Sequence, residues 1–257
     1  MAIDLASIKR TTAISSPRVL ISGTAGVGKT TLAASAPDPV FLFCEDGAGV
    51  LEVPAFPILR SYDDFIGAIG ALYASEHAYR TVVVDSVDHL EPLIWQKVCE
   101  TQGIASIESM PYGKGYIEAL RYWRVILDGL NALRDMKGMI VLLIAHVQIK
   151  RFESPEHDAI DRYEIKLHRS ASALVQESVD CVLFAKHKVV TKTEKLGFEQ
   201  SRTRGISTGE RVMCTVETPA YVAKNRYGLP AELPLSWAAF ENAVAAAKAA
   251  LRSEQAA

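Results

Sequence analysis

The 257-residue sequence has no pair of cysteines spaced to form a metal knuckle or a redox motif. Cys44, Cys99, Cys181 and Cys214 lie far apart, and three of them sit inside apolar runs. That pattern reads as reduced, buried thiols and points to the cytoplasm rather than an oxidising compartment. The six histidines lack zinc-ligand spacing, which argues against a structural metal. No apolar run approaches the roughly 18 residues of a membrane span, so no membrane partner is expected. Charge of neither sign dominates: 28 Lys/Arg against 30 Asp/Glu give a net charge of −2. A polyanion must then be held by a local patch rather than by a global field. The opening "MAIDLASIKRTTAISSP" has no basic stretch followed by an apolar one, so it does not read as a secretion signal. Residues 1–16 read instead as an arm ahead of the core. No internal repeat and no long low-complexity segment is visible.

What is present suits one α/β domain. "RVLIS" (18–22), "VFLF" (40–43), "PILRS" (57–61), "TVVVD" (81–85) and "MIVLLIAH" (139–146) are short apolar runs read as strands. Their continuous rather than alternating apolar character fits a parallel sheet buried on both faces. Between the last two lies a helical stretch with Ile117, Leu120, Trp123, Leu127, Leu130 and Leu133 at three- and four-residue steps, read as a core-facing stripe. After residue 150 come two more strand-like runs, "VDCVLFAKH" and "RVMCTVET", with a polar connection over 191–209 between them. A closing helix runs from Trp237 to about Arg252. The expected divisions are an arm (1–16), a core (17–235) and a C-terminal helix with its tail (236–257).

"GTAGVGKTT" carries the first chemistry. Gly23, Thr24, Ala25, Gly26, Val27, Gly28, Lys29, Thr30 and Thr31 satisfy G-x-x-x-x-G-K-[ST] between a strand and a helix, the context that confirms such a match. Glycines let backbone N–H groups turn inward around phosphate oxygens. Lys29 then reaches the β- and γ-phosphates, and the Thr30 hydroxyl ligates Mg²⁺. ATP and Mg²⁺ are therefore the expected cofactors. Asp85 ends the strand "TVVVD", a place suited to holding that ion; Asp88 has already left the strand and fits the role less well. The strand "VFLF" delivers two acids to its tip, Glu45 and Asp46, before a glycine turn.

With Glu45 sixteen residues after Lys29, Asp85-Ser86 closing the next motif strand and His146 with Gln148 following another, the chain resembles the RecA-like recombinase core. The resemblance spans about 17–235 and implies a RecA-like P-loop NTPase fold, a mainly parallel β-sheet flanked by helices with a late antiparallel section. It implies that Glu45, and not Asp46, activates the attacking water. His146 stands where the family carries a glutamine that senses the γ-phosphate. In "AYVAKNRYGLP", Lys224 and Arg226 flank Asn225 as the family's trans-acting basic pair does, which implies a homo-oligomer, ring or filament, with ATP sites between subunits. The compact form, without a large added domain, resembles phage-encoded RecA-like single-strand annealing ATPases, the fourth group of Sak proteins. That resemblance implies single-stranded DNA binding and strand annealing or exchange in the cytoplasm of a bacterial host, with a single-strand DNA-binding protein as a further partner.

Two loops follow from the same resemblance as DNA contacts. The first, "ESMPYGKGY", offers Tyr112 and Lys114. The second, from about residue 148 to 169, offers Lys150, Arg151, Lys166, His168 and Arg169, with aromatics as stacking surfaces. Residues 186–226 hold nine Lys/Arg against four Asp/Glu, so the rest of the chain carries −7. Such a segment either tracks a phosphate backbone or is plain solvated surface. Two alternatives stand beside this reading: a RecA-core helicase motor, loader or clock-type ATPase, and a P-loop small-molecule kinase with "SRTRG" (201–205) as part of its lid.

Overall fold

The computed structural model describes residues 4, 16–47, 49, 51–153, 158–195 and 201–256, so the expected arm lies almost wholly outside it. In chain order the first elements are β1 (Arg18–Gly23), α1 (Lys29–Ala34), β2 (Pro39–Phe43), α2 (Tyr62–Ala74), β3 (Thr81–Asp85), α3 (Val87–Gln102) and α4 (Lys114–Lys137). Then follow β4 (Ile140–Phe152), β5 (Ile160–Ile165), α5 (Arg169–Ser178), β6 (Cys181–Lys195), β7 (Ser201–Cys214), β8 (Lys224–Asn225), β9 (Glu232–Pro234) and α6 (Trp237–Ala256). The sheet runs β2-β3-β4-β1-β6-β7-β9, with β5 paired to β4 and β8 to β6. In that order β2, β3, β4, β1 and β6 are parallel, and β5, β7, β8 and β9 join antiparallel. The expected α/β class, mainly parallel with a late antiparallel section, is therefore observed.

Strand sequence explains the layers. Leu20, Val40, Leu42, Val82, Val84, Val141 and Leu143 point to one face, where α2, α3, α4 and α5 pack. Their chain neighbours Val19, Ile21, Phe41, Phe43, Val83, Leu142 and Ile144 point to the other, beneath α1 and the start of α6. Side chains alternate across a strand, so a strand covered on both sides must be apolar at every position.

Three local expectations are corrected. "PILRS" is not a strand. Residues 54–59 run along the outer edge of β2 through Phe41 N–H to Pro54 O (2.8 Å), Phe56 N–H to Phe41 O (3.2 Å) and Leu59 N–H to Phe43 O (2.9 Å). Pro57 supplies no ladder donor, and the segment serves to cover an edge that would otherwise be unpaired. Ile117 is 63% exposed, whereas Ala119 and Ile126 are buried beside Trp123. At 100° per residue Ile117 lies about 120° round α4 from Trp123, outside the buried stripe. The polar connection over 191–209 carries strand pairing in its described residues: Thr191 pairs with Gly205 and Lys195 with Ser201. Its sequence is mostly polar, so no apolar pattern announces the pairing.

Trp123 is almost wholly buried at the centre of α4's packed face. In Trp123→Ala the unfolding free energy falls by about 3–5 kcal/mol, read from the urea midpoint at unchanged m-value.

Candidate active site

At the carboxyl end of β1, Gly23 lies level with His146 on β4 and Ala185 on β6, two parallel strands that run on beyond it. Ligands of such sheets bind at this carboxyl edge. Gly23 is required by close approach, because a Cβ there would sit 2.5 Å from the Ala185 carbonyl oxygen. Gly28 has φ 103°, a left-handed conformation that disfavours a side chain. Thr24, Ala25 and Gly26 form the exposed crest of the loop, Val27 is buried below it, and Thr31 faces outward from α1. Lys29 is 5% exposed and donates to the carbonyls of Gly23 and Thr24, both at 3.0 Å. Burial pushes its ammonium below the ordinary lysine value, opposed by the charges of Asp85, Asp88 and Glu45.

Thr30 Oγ1 donates to Asp85 Oδ2 at 2.8 Å. Burial pushes the Asp85 carboxyl up, with the Thr30 hydrogen bond acting against it. This hydroxyl–carboxylate pair is a hard oxygen donor set that fits Mg²⁺. A backbone bond from Cys44 N–H to Asp85 O (2.9 Å) ties the end of β2 to that of β3. The next residue, Glu45, has its side chain 29% exposed and its Oε1 3.0 Å from His89 Nδ1 and 3.4 Å from Ser86 Oγ. Asp46 is exposed and outside this cluster. Burial drives the intervening Cys44 thiol up to about 12, so it stays protonated and is no nucleophile.

His146 donates its backbone N–H to Asp88 Oδ1 at 2.9 Å, and its ring Nδ1 lies 3.0 Å from Asp88 Oδ2. Burial alone would raise the Asp88 carboxyl. The bonds from His146 outweigh it, and the group is held at about 2. Asp88 is thus not a spare acid past the strand end; from the first turn of α3 it fixes the orientation of His146. The sequence reading weighed Asp88 only as a metal ligand and passed over His89, since nothing in "DSVDHL" shows that this turn folds against β4 at His146. Arg211 was passed over too. Its guanidinium Nη1 lies 3.4 Å from Val27 O and rests over Gly28, brought there by the pairing of β7.

The remaining expected residues lie elsewhere. Lys224 Nζ donates to the carbonyls of Gln176 (2.8 Å), Glu177 (3.3 Å) and Val179 (2.8 Å), closing the end of α5. The side chain of Arg226 is 53% exposed and reaches Asp180 Oδ1 at 3.7 Å. Both sit against the start of β6, where Asn225 pairs with Cys181 and Lys224 with Val182.

The two expected DNA loops meet. Tyr112 is 94% exposed, Lys114 is exposed beside it, and two residues on Tyr116 stacks on His168 at 4.2 Å and 4°. The second loop is a hairpin of β4 and β5 that carries Lys150 and Arg151 outward; Lys166 and Arg169 flank His168 in exposed positions. Glu91 on α3 accepts the His168 N–H at 2.9 Å. A cavity of ≈ 420 Å³ joins Asp88, His89 and Glu91 to Tyr116, Lys166 and His168. It connects the nucleotide edge to the basic surface.

Burial pushes the Glu91 carboxyl up to about 7, further than the His168 hydrogen bond pulls it down. A carboxyl whose folded value exceeds its unfolded one stabilises the fold below the unfolded value, and that stability is lost as pH rises through about 7. Unfolding free energy therefore drops by up to about 3 kcal/mol between about pH 4 and pH 8 from this group. Glu91→Gln removes that portion of the slope, measured by urea titration at both pH values.

Among solved structures, the crystal structure of the RadB recombinase aligns at a TM-score of 0.42 and 16% identity. The alignment spans 78% of this chain and 81% of that one. No curated protein matches the chain. No described helix is long and apolar enough to cross a membrane. The family profile of the AAA domain matches residues 15–227, which takes in every strand from β1 to β8 and the whole phosphate loop. The chain therefore belongs to the AAA-domain family of P-loop ATPases.

Proposed function

We propose that the chain hydrolyses ATP and binds single-stranded DNA, promoting strand annealing or exchange in phage homologous recombination. It works as an oligomer with its ATP sites between subunits. The observation that carries this reading is the convergence of Lys29, the Thr30–Asp85 pair, Glu45 and His146 on one sheet edge. Lys29 binds the β- and γ-phosphates as a fixed charge. Thr30 and Asp85 would hold Mg²⁺, which would neutralise charge on the phosphates. Glu45 takes a proton from the water that attacks the γ-phosphorus, the bond to the ADP oxygen breaks, and inorganic phosphate leaves. His146, fixed by Asp88, senses the γ-phosphate.

Contact between the two loops, with Tyr112, Lys114, Lys150, Arg151, Lys166 and Arg169 exposed around the Tyr116–His168 stack, supports a strand-binding surface. Its test is the anisotropy of a labelled single strand titrated with the chain and ATP at several salt concentrations. Affinity falls steeply with salt, and removing Lys150 and Arg151 together flattens the log–log slope by about one to two. Absence of binding at low salt contradicts the DNA reading.

A further inference from the structure

Glu45, His89 and His146 stand on the turn after β2, the first turn of α3 and the strand β4, yet one ligand atom from each lies within 4.8 Å of the others. The two imidazole rings meet edge to face at 5.9 Å between centroids. All three side chains are partly open to solvent, so an ion has a way in. Two imidazoles and one carboxylate select a transition metal such as Zn²⁺ and suit Mg²⁺ poorly. The surroundings match what metal-binding histidines need. His146 directs Nδ1 at the Asp88 carboxylate, so Nε2 keeps its lone pair for an ion, and Asp88 is itself anchored by the His146 amide. Thr30 and Asp85, hydrogen-bonded to each other, are not among these three ligands.

We infer that Glu45, His89 and His146 form a Zn²⁺ site, distinct from the magnesium ligands, that switches hydrolysis off by occupying the Glu45 carboxylate. Binding needs only the geometry above; its effect on hydrolysis rests on Glu45 acting as the base. Because the three ligands belong to separate elements, the site is invisible as sequence spacing.

The test titrates the full chain with Zn²⁺ by calorimetry, without nucleotide or Mg²⁺, and repeats it with Co²⁺ to read the visible absorption of a four-coordinate ion. One ion binds per chain. His89→Gln and His146→Gln each weaken it at least tenfold, and Asp88→Asn weakens it by about 10–100-fold through the lost orientation of His146. Circular dichroism checks that these variants fold. No binding, or unchanged binding in the His89→Gln/His146→Gln double variant, overturns the site, the latter placing the ion elsewhere, such as at a cysteine. Hydrolysis is read separately on the zinc-loaded chain and drops at least tenfold, returning when a chelator removes the ion. Zinc bound at these residues with hydrolysis unchanged would leave the site standing and remove Glu45 from the role of base.

Discussion

In Glu45→Gln, ATP hydrolysis falls by about 10²–10⁴-fold while ATP still binds. The amide keeps the shape of the side chain and can still meet His89 or Ser86, but it has no basic oxygen to accept a proton from water. Binding survives because Lys29 and the loop backbone, assigned above to the phosphates, are untouched by the substitution. Single-turnover hydrolysis and nucleotide binding, measured on the same preparation, separate the two effects. A variant that hydrolyses at the parental rate removes Glu45 from the chemistry. One that loses ATP binding as well makes it a structural prop for the end of β2.

Substituting Lys224 and Arg226 together by alanine lowers hydrolysis by about 10³–10⁵-fold if the pair acts as trans-delivered charge. Topology sets the direction. β8 pairs with the start of β6, whereas Gly23 lies level with Ala185, four residues further along that strand. At about 3.3 Å per residue the separation is roughly 13 Å along the strand, away from the phosphate loop, so the proposed role assigns the pair to a neighbour's nucleotide. Arg226 already faces solvent. Lys224 must release the carbonyls that end α5, so its substitution also costs stability, which denaturation of the same variant measures. Mixing this double variant with Glu45→Gln in equal amounts leaves about a quarter of head-to-tail interfaces with both an intact glutamate and an intact basic pair. Activity recovers to about that fraction. No recovery counts against catalysis across an interface.

Much of this arrangement was legible in the chain because the parallel strands are buried on both faces, and burial writes itself as unbroken apolar runs. The phosphate loop was legible because its glycines answer to backbone geometry, and the place of Glu45 because only Cys44 separates it from a buried strand. Asp88 and His89 were not, since their partners arrive from β4 and β2 through tertiary packing alone. Neither was the covering of β2's edge by residues 54–59, where an apolar run with prolines looks like a strand but cannot complete a ladder. The strand pairing within 191–209 has the opposite defect: its sequence is mostly polar, so no apolar run announces it. Lys224 shows a further limit. The motif around Asn225 indicates a basic pair, but not that one member folds back onto the end of a helix.

The most direct measurement is the steady-state rate of ATP hydrolysis by the intact chain, with and without single-stranded DNA. A DNA-dependent recombination ATPase hydrolyses slowly alone and faster with the strand, with the stimulation lost in Glu45→Gln. Turnover indifferent to DNA, with the phosphoryl group passed to a small molecule instead of water, would contradict it.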